Sequence, residues 1–176
     1  MTLYNAVIIE PRRHRALGFV LHNVLTNLPE EWSVLIFHGS NNKEFILTLM
    51  DTILSSFKTR ILPLLNLEID NLTKKDYNSL LTSANFYKMI PTETFLIFQT
   101  DSMILGKNKG LLELFLQYDY VGAPWDLNVV INSDKRYCGK IMIGNGGFSL
   151  RRKSKMMEAC IKHAHMIIPV NEDIFL

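Results

Sequence analysis

The sequence predicts an α/β fold: one domain with a mainly parallel central sheet and helices on both faces. Short β-branched apolar runs that read as buried strands alternate with stretches whose apolar residues recur at helical spacing. Polar and turn-forming residues collect where these runs end. At 176 residues, 48% of them hydrophobic, the chain is long enough for one core and shorter than two domains usually need.

The elements follow in order. "YNAVIIE", Tyr4 to Glu10, is a β-branched run stopped by Pro11 and forms the first strand. In "HRALGFVLHNVLTNL" the residues Leu17, Leu21, Val24, Leu25 and Leu28 stand three and four apart, the stripe of a helix packed on a sheet. "SVLIF", Ser33 to Phe37, is the second strand, closed by the small polar residues of "HGSNN", and completes a βαβ unit. The pattern repeats with "KEFILTLMDTILSSF" as helix and "TRILPL" as a short strand. "TKKDYNSLLTSANFYKMI" then supplies one long or two short helices, with Phe86 and Tyr87 packing on the sheet, before the strand "TFLIF". Downstream, "YDYVGAP" and "KIMIGNGGFSL" read as strands and "RKSKMMEACIKHAHMI" as a helix. Such alternation means a sheet covered on both faces.

Composition narrows the function. A net charge of +2 from 19 basic and 17 acidic side chains lacks the basic balance of a nucleic-acid binder, so any anion site is local. Cys138 and Cys160 are too few for a disulfide framework or a zinc site and suit a reducing compartment, which makes the cytoplasm the expected location. The early apolar run Ala6 to Ile9 ends at Glu10 and Pro11, too short for a signal core or a membrane span. His163 and His165, two apart in a helix, point in different directions and make poor joint metal ligands.

In open α/β sheets, ligands bind outside the carboxyl ends of the strands. Glu10, Pro11 and Arg12 follow the first strand, His38 to Asn42 the second, and Gln99 to Ser102 the strand "TFLIF". The chemistry is therefore expected on one rim.

The segments "EPRRH", "IFHGSNN", "FLIFQTDS", "YDYVGAPW", "GNGGFSLR" and "NEDIF", spanning Tyr4 to Phe175, resemble a family of glycosyltransferase-like proteins catalogued as a domain of unknown function and related to the GT-A nucleotide-sugar transferases. The resemblance implies a single GT-A, Rossmann-like domain over residues 1–176. It further implies a metal-dependent transferase, using Mn²⁺ or Mg²⁺, that passes sugar from a nucleotide-diphosphate sugar, with UDP favoured, to an acceptor hydroxyl. GT-A enzymes carry an Asp-x-Asp element after a central strand, and here the aligned triplet is "QTD". Asp101 would ligate the metal, while Gln99 keeps a hydrogen bond to the ribose but adds no charge. The other reading of Asp101 is a cap of a turn, or of a helix beginning near Met103.

The resemblance assigns further roles. Glu10, Pro11, Arg12 and Ser102 join the donor site, with the Arg12 guanidinium set against the diphosphate. Asn145, Gly146 and Gly147 line the sugar or acceptor pocket, or else form only a bulge or tight turn before "FSL". Trp125 is a sugar-stacking face or a core ring. In "NEDIF", Asp173 is the expected general base, and Glu172 contacts the acceptor or starts a helix. The chain stops three residues after Asp173, without the later segment from which related enzymes take a further ligand, so the expectation is a relative lacking the usual C-terminal extension. Two alternatives share the fold: an inactive sugar-nucleotide-binding module, and a sugar-phosphate nucleotidyltransferase, whose Gly-rich basic loop "EPRRHRALG" lacks.

Overall fold

The structure, a computed structural model, describes residues 2–124 and 143–162. Six strands form one sheet in the order β3-β2-β1-β4-β6-β5. They are β1 (Tyr4–Glu10), β2 (Trp32–His38), β3 (Leu65–Asn66), β4 (Thr94–Ile97), β5 (Tyr120–Pro124) and β6 (Ile143–Arg152). β1 is central and parallel to both neighbours, with Ala6 opposite Val34 on one side and Leu96 on the other. β6 runs antiparallel to β4 and to β5, so it is the one reversed strand among those described. The mainly parallel α/β sheet is as expected.

Alternation along the strands divides the core. Ala6 and Ile8 of β1, Val34 and Ile36 of β2, and Leu96 face α1 (Leu17–Asn27) and α2 (Lys43–Asp51). Val7, Ile9, Leu35, Phe37, Phe95 and Ile97 face α3 (Lys74–Leu81), α4 (Ala84–Lys88) and α6 (Lys153–Lys162). The α1 stripe is as its spacing predicts: Leu17, Leu21, Val24 and Leu25 are all buried, and Leu28 just beyond the helix is buried with them. A one-turn helix, α5 (Leu112–Phe115), lies before β5.

Three elements differ from the local reading. The helix expected from Lys43 ends at Asp51, because Thr52 leaves helical geometry while its hydroxyl donates back to Thr48 O, and a 3-10 turn at Ser55–Arg60 follows. "TRILPL" makes only a bridge between Val34 and Ile61, ahead of the two-residue β3. Pro63 in that run has no N–H to give a ladder. Arg60 instead turns inward, where its guanidinium donates to Leu25 O, Leu28 O, Pro29 O and Trp32 O and ties the end of α1 to the start of β2. The long segment 74–88 is two helices; Thr73 and Asp76 close a reciprocal capping box at the start of α3.

Candidate functional site

From β1 the chain builds outward through β2 to β3, then returns to β4 on the other side of β1. The carboxyl ends of β1 and β4 therefore flank the point where strand order reverses, the place where open α/β sheets leave a crevice. A cleft of about 430 Å³ lies there. Its walls are Glu10, Pro11, Arg12 and His14 after β1, Gln99, Thr100 and Asp101 after β4, and Leu72, Thr73, Lys74 and Tyr77 at the start of α3. Five residues expected at the donor site, Glu10, Pro11, Arg12, Gln99 and Asp101, thus come together. Ser102 stands at its edge.

Glu10 ends a strand that is buried from Asn5 onward, and its side chain is only 5% exposed. A carboxylate so placed needs donors, and Arg12 supplies three: Nε at 2.8 Å, Nη2 at 2.8 Å and its backbone N–H at 3.0 Å. The bond to Glu10 and its negative charge hold the Arg12 guanidinium above its usual pKa, against a smaller opposing effect of burial. Arg12 remains 54% exposed on the cleft side chain, with Nη1 outside the pair. Glu10 thus engages Nε and Nη2 of the guanidinium.

The loop after β2 holds this one in place. Asn42 is fully buried; its Nδ2 donates to Glu10 O (2.8 Å) and Arg12 O (2.9 Å), and its Oδ1 accepts from the Gly39 N–H (2.8 Å). Gly39 is required by crowding: a Cβ there would lie 2.5 Å from Pro11 O and 2.7 Å from Pro11 Cβ, and closer still to Ile69 O. His38, also buried, donates through Nδ1 to Gly39 O at 2.7 Å. "HGSNN" reads locally as a turn; its work as a clamp depends on partners about thirty residues away.

In "QTDS" it is Ser102 that closes the turn. Its Oγ accepts from the Gln99 N–H (3.0 Å) and donates to Gly147 O (3.2 Å), and its own N–H donates to Gln99 O. No helix starts at Met103, so the capping role lies with Ser102. The Asp101 carboxylate is exposed on the cleft and takes no hydrogen bond or ion pair among the described residues. Water satisfies it.

The glycine segment sits across that turn. β5 and β6 pair regularly up to Gly122 and Ser149, but the next pair is Ala123 with Asn145, so residues 146–148 bulge out of the ladder. Gly146 O accepts from Ser149 Oγ (3.0 Å) and from Nη2 of the buried Arg151 (3.2 Å). The bulge expected as one reading of "GNGG" is present, and the Ser102 bond brings Gly147 beside the "QTDS" turn. The Asn145 backbone lies in β6, while its side chain, Trp125, Glu172 and Asp173 lie outside the described residues. Thr73, Lys74 and Tyr77 had no sequence signal tying them to the rim; the T-x-x-D pattern at Thr73 signals only the helix start.

A mainly parallel sheet with one reversed strand, and a cleft at the β1–β4 switch, define a protein with a GT-A-like, glycosyltransferase-like fold. The chain belongs to the family described as "Protein of unknown function (DUF5672)", whose model matches residues 63–176. Solved structures share the fold at low identity. The bifunctional glycosyltransferase WbbM has 12% identity and a TM-score of 0.64, over 99% of this chain and 37% of its own. The mannosyltransferase PcManGT from Pyrobaculum calidifontis, in complex with GDP-Man and Mn²⁺, has 9% identity and a TM-score of 0.58, over 99% and 51%. The glycosyltransferase GlyE from Streptococcus pneumoniae TIGR4 has 10% identity and a TM-score of 0.58, over 99% and 42%. The chain thus spans about a third to a half of the length of these three enzymes. No curated protein matches it in sequence. Among the described residues, no helix is long and apolar enough to cross a membrane.

Proposed function

We propose that this chain is a nucleotide-sugar glycosyltransferase domain that binds its donor in the cleft between the ends of β1 and β4. One observation carries the reading: that cleft gathers Glu10, Pro11, Arg12, Gln99 and Asp101 at the topological switch point, with the Asp101 carboxylate exposed and unengaged among the described residues. The nucleoside lies against Pro11 and the first turn of α3, and Gln99 offers its amide to the ribose hydroxyls. Lys74 and the Nη1 side of Arg12 face the negative diphosphate. Glu10 holds the rest of the Arg12 guanidinium and so orients it.

A divalent cation fits this donor set in one mode. The described residues contain no group of three or more His, Cys, Asp or Glu side chains able to cage an ion. Asp101 offers a single free carboxylate, which suits Mn²⁺ or Mg²⁺ carried in on phosphate oxygens and water rather than on a protein cage. Bound there, the ion would offset the charge of the departing diphosphate. The presence of GDP-Man and Mn²⁺ in the mannosyltransferase complex supports this chemistry. In the transfer step, the acceptor hydroxyl oxygen bonds to the anomeric carbon, the bond from that carbon to the nucleoside diphosphate breaks, and the hydroxyl proton passes to Asp173 as general base. Gly146 and Gly147 leave room beside the sugar.

Thermal unfolding with a panel of UDP- and GDP-sugars, with and without Mn²⁺, tests the reading. The right donor at about 100 times its dissociation constant stabilises the fold by roughly 2.7 kcal/mol. Asp101→Asn removes the Mn²⁺-dependent part of that shift. Asp173→Asn keeps the shift and lowers transfer about 10²- to 10⁴-fold. A panel without any response overturns the assignment.

A further inference from the structure

A second cavity, of about 290 Å³, lies on the α1 side of the sheet. It is lined by Leu28, Leu96, Met103, Leu105, Phe115 and Phe148 among others, and Asn27 is the one polar residue in its wall. One N–H of the Asn27 amide is engaged, since Nδ2 donates to Asn23 O at 2.8 Å. The lining is otherwise apolar, so the polar groups of a sugar or a peptide backbone would go largely unsatisfied there. The volume is at the lower edge of the range for small-molecule sites, roughly 300–1,000 Å³.

Three features make this a built groove. Its outer wall, residues 103–105, is pinned to α1 by a paired amide contact: Asn23 Nδ2 donates to Ile104 O (3.0 Å), and the Ile104 N–H donates to Asn23 Oδ1 (2.8 Å). Its mouth keeps large apolar side chains in water, with Met103 53% and Leu105 46% exposed. It reaches from Met103 and Phe148, each next in sequence to a residue of the Ser102–Gly147 contact, to Asn27 and Leu28 at the end of α1.

The rim end meets the candidate transfer site. Met103 follows Ser102, Phe148 follows Gly147, and Ser102 Oγ donates to Gly147 O, so one turn separates the groove from the donor cleft. We propose that the acceptor carries a single aliphatic chain that lies along this groove, which places its polar head at the Gly146–Gly147 bulge. The inference rests on the transferase reading. The head-group hydroxyl then supplies the oxygen that bonds to the anomeric carbon as the nucleoside diphosphate leaves, its proton passing to the general base. An apolar groove that meets the candidate transfer site at Met103 and Phe148 suits a chain carried by the acceptor itself.

The probes are alkyl β-D-glucopyranosides from methyl to octyl, each below its micellar concentration, titrated calorimetrically into the full chain. Affinity is expected to rise with chain length by up to about fourfold per methylene. Leu105→Gln with Phe115→Gln, both at the exposed mouth, should flatten the series. Leu111→Gln alone serves if the double variant does not fold. A flat series in the parent protein overturns the proposal, as does a slope that survives these substitutions. A flat series with a dimer in sedimentation assigns the groove to a second copy. The nucleotide-sugar panel runs on the same variants: a silent panel sinks the transferase reading, whereas a responding panel beside a flat alkyl series sinks the acceptor chain alone.

Discussion

Asn42 offers the sharpest test of how the cleft is held. Its side chain makes three hydrogen bonds, to Glu10 O, Arg12 O and the Gly39 N–H, from a position with no exposed surface. Asn42→Ala removes all three and leaves the Gly39 N–H and Glu10 O buried without their partner. At about 1 kcal/mol per net bond the loss is about 3 kcal/mol, and the two orphaned groups set that as a lower estimate. For a domain of this size each kcal/mol corresponds to roughly 2–4 °C, so Tm falls by about 6–12 °C. Asn42→Asp is the informative companion. It keeps an oxygen for the Gly39 N–H but turns a carboxylate toward two carbonyl oxygens, so it is expected to be no more stable than Asn42→Ala. Urea unfolding with coincident fluorescence and circular dichroism measures both variants. If Asn42→Ala stays within about 1 kcal/mol of the parent, or Asn42→Asp is well tolerated, the clamp does not hold the loop. With the clamp lost, the nucleotide-sugar shift should weaken too, since Glu10 and Arg12 form the cleft wall.

Three further outcomes follow from the same geometry. Gly39→Ala forces a methyl group into the backbone of Pro11 and Ile69, and an overpacking cost of about 1–3 kcal/mol is expected by urea unfolding; an unchanged midpoint would refute the crowding. Burial pushes the Cys160 thiol up to about 11, so iodoacetamide should modify it far more slowly at pH 8 in the folded protein than in urea, as read by peptide mass mapping. Hydrogen bonds from the Thr73 hydroxyl and N–H hold Asp76 below its ordinary 3.8, so its support of the first turn of α3 is complete above that value and is lost as pH falls through the lower folded pKa. Exchange of the Thr73 and Asp76 amides should accelerate over that acid window, and Asp76→Asn should abolish the pH dependence; an unaltered acid profile in Asp76→Asn would count against the capping box.

What the sequence by itself determined is the part governed by near neighbours. Period-2 and period-3.6 patterns depend on residues a few places apart, so the apolar runs of β1, β2 and β4, the α1 stripe and the α/β class were legible, as was the gathering of polar residues at strand ends. The same local reading went astray at "TRILPL", where Pro63 has no N–H for a ladder, and at the turn after β4, which is closed by Ser102 and bonds across to Gly147 45 residues on. Which ends meet was decided only in three dimensions. The order β3-β2-β1-β4-β6-β5 brings Arg12, Asp101 and the start of α3 around one cleft, buries Asn42 between two loops, and lays residues 103–105 along α1 through an Asn23–Ile104 contact 81 residues apart in sequence. Strand order and register arise from the packing of the whole core, and no local pattern encodes a contact whose energy appears only after the sheet has formed.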